Sequence, residues 1–145
     1  MDIHFYGRYL PYFEFSNFYR APITIDGKTY ATSEHYFQSQ KFLDAKIQEK
    51  IRSCSPSSAL SIGNDRNLPL REDWECIKED VMRKALEAKF TQHPKLKNLL
   101  LSTGNRNLME WKAHGSYWGC YTSGGQNRLG VLLMELREKL RDADG

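Results

Sequence analysis

The 145 residues suit a single domain able to bury its own core; with hydrophobic residues at 40% and no low-complexity stretch, disorder is not expected. No apolar run reaches the roughly 18 residues that a membrane-spanning helix needs, and Met1-Asp2-Ile3-His4-Phe5 lacks the basic-then-apolar pattern of a secretory signal. A formal net charge of +3 admits anionic small molecules but is too weak and dispersed for general nucleic-acid binding. Cys54, Cys76 and Cys120 are odd in number and show no CxxC spacing, which argues for a reducing, cytoplasmic setting and against a disulfide framework or a zinc site.

The first thirty residues read as extended. Ile3-His4-Phe5-Tyr6 is a short strand, and Ile23-Thr24-Ile25 with Lys28-Thr29-Tyr30 predicts a hairpin through an Asp26-Gly27 turn. Helices follow. Thr32 or Ser33 caps one running to about Phe42, with Glu34 in its first turn. A second covers Asp44 to Arg52, and Ser55-Pro56 opens a third that Gly63 stops. The longest runs from Asp73 to Phe90 with Trp74, Ile77, Val81 and Ala85 on one face, and another starts at Pro94 and ends near Thr103-Gly104. Met109 and Tyr117-Trp118 are expected to return to the sheet. The last helix spans about Gln126 to Arg141, with Leu129, Leu132, Leu133, Leu136 and Leu140 inward. The expected fold is α+β: a mainly helical single domain, residues 1–145, with a small antiparallel sheet.

Three groups of residues could carry chemistry. On one helix, Glu34, Gln38 and Lys41 fall at i, i+4 and i+7, so a carboxylate, an amide and an amine share a face. That set suits binding a sugar and moving protons, although a dipole-favoured glutamate and a solvated lysine fit the spacing as well. His35, beside the cap, reads as a surface residue. In the second group, Gly124 and Gly125 precede the last helix, whose first N–H groups could hold a phosphate with help from Thr122, Ser123 and Arg128; an ordinary capped loop fits too. The third is an aromatic excess of Phe13, Phe15, Phe18, Tyr19, Trp74, Tyr117 and Trp118, able to stack on bases or simply to fill a core. Cys120 has no histidine at a motif-like spacing and reads as a bland thiol. No ligand-spaced cluster indicates a metal, and no cofactor is expected.

Phe15-Ser16-Asn17-Phe18, Thr32-Ser33-Glu34-His35-Tyr36-Phe37-Gln38-Ser39-Gln40-Lys41-Phe42 and Leu70-Arg71-Glu72-Asp73-Trp74-Glu75 resemble motifs of the YbiA/NADAR family. So do Val81-Met82, Ala88-Lys89-Phe90, Tyr117-Trp118-Gly119 and Asn127-Arg128-Leu129-Gly130-Val131-Leu132-Leu133-Met134, in order from about residue 5 to residue 140. The resemblance implies an N-glycosidase acting on ribosylated amino-bases. Family activities are hydrolysis of a phosphoribosylamino-pyrimidine of riboflavin synthesis and removal of ADP-ribose from guanine. Carried over residue by residue, it implies Glu34 and Lys41 as catalytic groups, with Asn17, Phe18, Gln38 and Trp74 around the substrate. Glu110, Trp118, Gly124, Gly125, Asn127 and Arg128 join that binding set. Two positions depart: where bacterial members carry acidic residues, this chain has Gly115 and Cys120.

Breaking the bond from a ribosyl carbon to a base nitrogen builds positive charge on that carbon, which a carboxylate such as Glu34 stabilises. A ribose on an exocyclic amine can also open to an imine, which Lys41 could capture by transimination if burial keeps it partly neutral. The rival expectation is a non-catalytic reader of ADP-ribose, for which the two missing acidic residues speak. The expected partner is a small ribosylated base or ADP-ribosylated guanine, free or in DNA, with no membrane; protein partners are not legible in the sequence.

Overall fold

The computed structural model describes residues 2–5, 7–8, 10–111, 117–120 and 125–144. The chain divides into two compact units, one of residues Arg20–Gln92 and one of residues Met1–Tyr19 with His93–Gly145.

The Arg20–Gln92 unit opens on a hairpin. Strands β1 (Ile23–Ile25) and β2 (Lys28–Tyr30) pair antiparallel with Ile23 opposite Tyr30. Asp26 and Gly27 take φ of 53° and 81°, the two left-handed residues that a tight hairpin turn demands. Alternation then places Ile23, Ile25 and Tyr30 inward, while the Thr24 and Thr29 hydroxyls meet on the outer face at 3.0 Å. Four helices follow: α1 (Ser33–Ser39), α2 (Ala45–Arg52), α3 (Pro56–Gly63) and α4 (Trp74–Gln92). Asp44 caps α2 by accepting from the Lys46 and Ile47 N–H groups at 2.8 and 3.1 Å. Ser55 caps α3, with Pro56 at its first position, where a missing N–H costs nothing. The Gln92 carboxamide closes α4 onto β1, accepting from Thr24 N–H and donating to Thr24 O, both at 2.9 Å.

Two apolar clusters hold this unit together. One gathers Ile23, Ile25, Tyr30, Tyr36, Ala85 and Ala88 between hairpin, α1 and α4; the other gathers Phe42, Ile51 and Ala59 among α1, α2 and α3. Each fully buried large side chain, such as Phe42 or Ile51, contributes about 1.5–3 kcal/mol relative to exposure. Trp74 and Ala85 are buried on α4 as predicted, together with Met82, Leu86, Ala88, Lys89 and Phe90, while Ile77 and Val81 lie half-buried at the edge of that face. The buried face includes a lysine, Lys89, wholly out of water.

The other unit pairs β3 (Ile3–Phe5) with β4 (Leu108–Glu110) in parallel, Ile3 opposite Leu108. The antiparallel hairpin expected from the sequence is therefore joined by a separate parallel pair. Tyr117 and Trp118 are not in a strand. Helix α5 (Pro94–Ser102) and helix α6 (Arg128–Asp144) complete the unit, and Leu129, Leu132, Leu133, Leu136 and Leu140 form the buried face of α6 as their spacing predicts. A Cβ at Gly130 would overlap the Leu108 carbonyl, so glycine there lets α6 sit directly on β4. Buried Arg137 donates to Thr103 Oγ1 at 2.9 Å and Arg106 O at 2.8 Å, fastening α6 to the end of α5.

Candidate active site

Helix α1 has seven residues, too few to persist alone, and no exposed face: every residue from Ser33 to Ser39 is buried. It is held by its cap and by packing on α2, α3, α4 and β2. Thr32 Oγ1 accepts the His35 N–H at 3.2 Å. His35 itself is no surface residue. Its Nε2 lies 2.6 Å from the Cys54 carbonyl, which can only accept, so Nε2 carries the hydrogen; Nδ1 lies 2.7 Å from Thr32 Oγ1. The ring therefore ties the first turn of α1 to the chain following α2. The sequence reading missed this because the partner carbonyl is 19 residues away.

That first turn presents Glu34, only 6% exposed, and one turn on Gln38, 3% exposed. Gln38 Nε2 donates to Glu34 Oε2 at 2.8 Å, so the predicted i, i+4 pairing is a direct hydrogen bond. Gln38 Oε1 is buried and finds no hydrogen-bond partner among the described residues.

Lys41 does not lie on the same helix, as the sequence reading had it. Helix α1 ends at Ser39, and the Lys41 and Phe42 N–H groups drop to three-residue turns on Gln38 O and Ser39 O at 3.2 and 3.3 Å. The cause is a non-local pairing. Arg71 N–H donates to Lys41 O at 2.9 Å, and Phe42 bridges Leu70. No glycine or proline marks this stop in the sequence. The turn nonetheless keeps the lysine beside the helix: Nζ sits 5.9 Å from the ring centroids of both Phe37 and Trp74. Nζ also donates to Gly63 O at 3.2 Å and Asn64 Oδ1 at 3.3 Å. Burial pushes the Lys41 amine below its ordinary value, opposed by the negative charges of Glu34 and Glu75 and assisted by Lys78. Trp74 is 5% exposed and packs edge-on against Phe37 at 5.1 Å, so it is both a core residue and a wall of the lysine's surroundings. The sequence reading missed Phe37, Gly63 and Asn64 here; Gly63 carried only the sign of a helix stop.

In the other unit the predicted binding residues are differently employed. Asn127, at φ 52°, accepts the Glu110 N–H through Oδ1 at 3.1 Å and donates to Leu108 O through Nδ2 at 3.0 Å, so its carboxamide continues the β4 ladder. The N–H groups of Asn127, Arg128 and Leu129 donate to the carbonyls of Gly119, Tyr117 and Trp118 at 2.9, 3.0 and 3.1 Å. Three N–H groups at the start of this helix that the expected phosphate cradle could use are thus taken by the chain itself, and the helix begins at Arg128 rather than Gln126. Gly125 packs so closely on the Gly119 carbonyl that a Cβ would overlap it. Gly124, Thr122, Ser123 and Gly115 lie outside the described residues. Glu110, Trp118 and Arg128 are half-buried, Asn17 is buried and Phe18 half-buried. Cys120, in place of an acidic residue, is buried; its N–H donates to Glu110 O at 2.9 Å, and burial, then the Glu110 charge, push its thiol up. Among the described residues no group of three or more His, Cys, Asp or Glu side chains could hold a metal ion, and no helix is long and apolar enough to cross a membrane.

The NADAR domain family profile matches residues 4–141. The chain is 56% identical to the N-glycosidase YbiA of Escherichia coli over 140 residues, which cover 95% of this chain and 88% of that protein. An N-glycosidase of Nostoc punctiforme is 40% identical over 147 residues, covering 98% and 94%. A riboflavin biosynthesis protein of Vibrio vulnificus is 38% identical over 129 residues, 88% of this chain but 35% of that protein. The solution structure of E. coli YbiA superposes with a TM-score of 0.90 at 52% identity, over 99% of this chain and 89% of that one.

Proposed function

This chain belongs to the NADAR domain family, and from that premise we propose that it is an N-glycosidase, a hydrolase breaking the bond between a ribosyl carbon and an amino-bearing base. Its substrate is a small ribosylated molecule. The observation that carries a catalytic reading is a buried carboxylate fixed by a buried amide, beside a half-buried amine whose charged form burial disfavours. Such groups are costly to bury, and a perturbed amine beside a buried carboxylate marks chemistry more often than scaffold. A binding-only module would need neither. The whole of residues 1–145 acts in this reading as one NADAR-like domain.

Glu34 is fixed for cationic character at the ribosyl carbon. Lys41, in its neutral form, adds its lone pair to the imine carbon of the ring-opened sugar; both hydrogens of its nitrogen pass to the base nitrogen, the carbon–base bond breaks, and the base departs as a free amine, leaving the sugar as an imine on Lys41. Water then adds to the lysine imine, which returns the amine and releases the sugar as its aldehyde, free to reclose. Phe37 and Trp74 keep the amine poorly hydrated. Glu110, Trp118, Gly125, Arg128, Asn17 and Phe18 belong to the wider binding set, Arg128 supplying charge through its side chain. The substrate class is ADP-ribosylated guanine, in DNA or as nucleoside, or a phosphoribosylamino-pyrimidine, the latter in keeping with the riboflavin relative. Incubation with each, followed by chromatography for free guanosine or free pyrimidine, tests the reading. Tight binding without release of either base would instead make the protein a reader.

A further inference from the structure

We propose that the turn closing α3, Gly63-Asn64, is a positioning element of this site, holding the Lys41 amine near Glu34 and seating the Gln38 amide on the Glu34 carboxylate. The inference rests on the catalytic reading of Lys41 and extends it to two residues that make no claim on chemistry themselves. Three observations from three elements converge. The Lys41 ammonium lies at the end of a flexible four-carbon stem in a turn, not on a helix, so nothing in its own backbone fixes where Nζ points. The acceptors that fix it are Gly63 O at 3.2 Å and Asn64 Oδ1 at 3.3 Å.

The second observation is steric. A Cβ on Gly63 would overlap Gln38 Oε1 and sit 2.6 Å from Gln38 Cδ, so the amide lies flat over the glycine, in space that any side chain would take. Gly63 has no positive φ to explain it, so close approach is its reason for being glycine. The third is the lack of a partner for Gln38 Oε1, in a side chain 3% exposed. Leaving a buried amide oxygen unbonded carries its full desolvation cost. A site that accepts this cost in order to keep Nε2 on Glu34 is selecting for the orientation of the carboxylate. The α3 turn thus sets two of the three groups by one backbone carbonyl, one side-chain oxygen and one missing side chain.

The groups facing the Lys41 amine are Glu34 from α1, Glu75 and Lys78 from α4, and the Asn64 amide and Gly63 carbonyl from α3. Hydrogen bonds to the ammonium favour its charged form. Asn64→Ala removes one and should move the acid limb of the kcat–pH profile to lower pH; Asn64→Asp adds a negative charge and should move it to higher pH. A merely structural residue would shift neither limb in opposite directions. Gly63→Ala should lower kcat by about a hundredfold, the scale of an ångström's misplacement, yet cost far less in a Gln38→Ala background, where the amide it displaces is gone and only the contact with the Cβ at position 38, 3.1 Å, remains. Should Gly63→Ala fail to fold, recovery of folding in Gly63→Ala/Gln38→Ala supports the same contact, and failure of that double variant counts against it. Borohydride trapping on the wild type, read by mass spectrometry at Lys41, separates the two levels. A trapped adduct with unmoved Asn64 limbs, or with additive Gly63 and Gln38 effects, overturns the positioning role alone. No adduct and an active Lys41→Ala enzyme overturn both the role and the reading beneath it.

Discussion

The two units differ in what some of their polar side chains are bonded to. In Arg20–Gln92 the buried Glu34 and Gln38 bond to each other, and Lys41 beside them is held by acceptors whose own backbone roles it does not serve. In the other unit buried or half-buried polar groups serve the backbone: Arg137 takes the Arg106 carbonyl, Asn127 extends β4, Cys120 hangs on Glu110 O. The difference matters because motif resemblance marks both sets alike. A side chain whose hydrogen bonds end on main-chain groups is accounted for by folding. A bond between two buried side chains, as from Gln38 to Glu34, is not.

The comparison breaks first if Glu34 is scaffold. Glu34→Gln keeps size and the capacity to bond Gln38 but removes charge, so thermal melting should change little while turnover falls by at least about a hundredfold, the scale of a lost acid–base group. A fully active variant would end the assignment. Lys41→Arg comes next. It preserves a cation beside Glu34 but cannot form an imine, and should abolish borohydride trapping with a loss of similar order; retained turnover without an adduct would leave Glu34 alone on a direct oxocarbenium route.

Asn127 is the matching test on the other side. Replacing it by Asp keeps the acceptor for Glu110 N–H and loses the donor to Leu108 O. Stability should fall by about 1–3 kcal/mol, as for a buried carbonyl left facing an acceptor, with kcat nearly preserved in the remaining folded enzyme. A drop in kcat with no change in melting would move Asn127 to the chemistry and erase the contrast drawn between the units.

What could be read from sequence follows the range of the interactions. The hairpin was legible because Asp26-Gly27 carries its own geometry, and α2 and α3 because Asp44 and Ser55-Pro56 cap them locally. The pairing of Glu34 with Gln38 was legible from one turn of helix. The end of α1 was not, since Arg71 and Leu70 impose it from thirty residues away. The parallel partner of β3 lies beyond a hundred residues, and the α3 turn reaches Lys41 across 22. The expected phosphate cradle meets a related limit: glycines and a helix start are visible in a sequence, but that carbonyls already take the N–H groups of Asn127, Arg128 and Leu129 is not.

The smallest expected effect concerns the thiols, and it sharpens the contrast because each unit holds one that is partly or wholly buried. Cys54 bonds Ile51 O at 3.2 Å and Cys120 bonds Glu110 O at 3.4 Å. Burial raises both thiols above their ordinary value, Glu110 adding to the rise at Cys120. The thiolate is the reactive form, so at neutral pH neither should react readily, while Cys76 is exposed on α4. Iodoacetamide at a modest excess should therefore label Cys76 first, seen by peptide mass spectrometry, and leave turnover within experimental scatter. Raising the pH should bring in Cys54 and Cys120 only above their ordinary thiol range, because a raised folded-state value delays the thiolate. Activity lost in step with Cys120 labelling at neutral pH, and spared in Cys120→Ser, would mean that the thiol at the family's acidic position has taken a share of the chemistry, and that the second unit contributes more than scaffold.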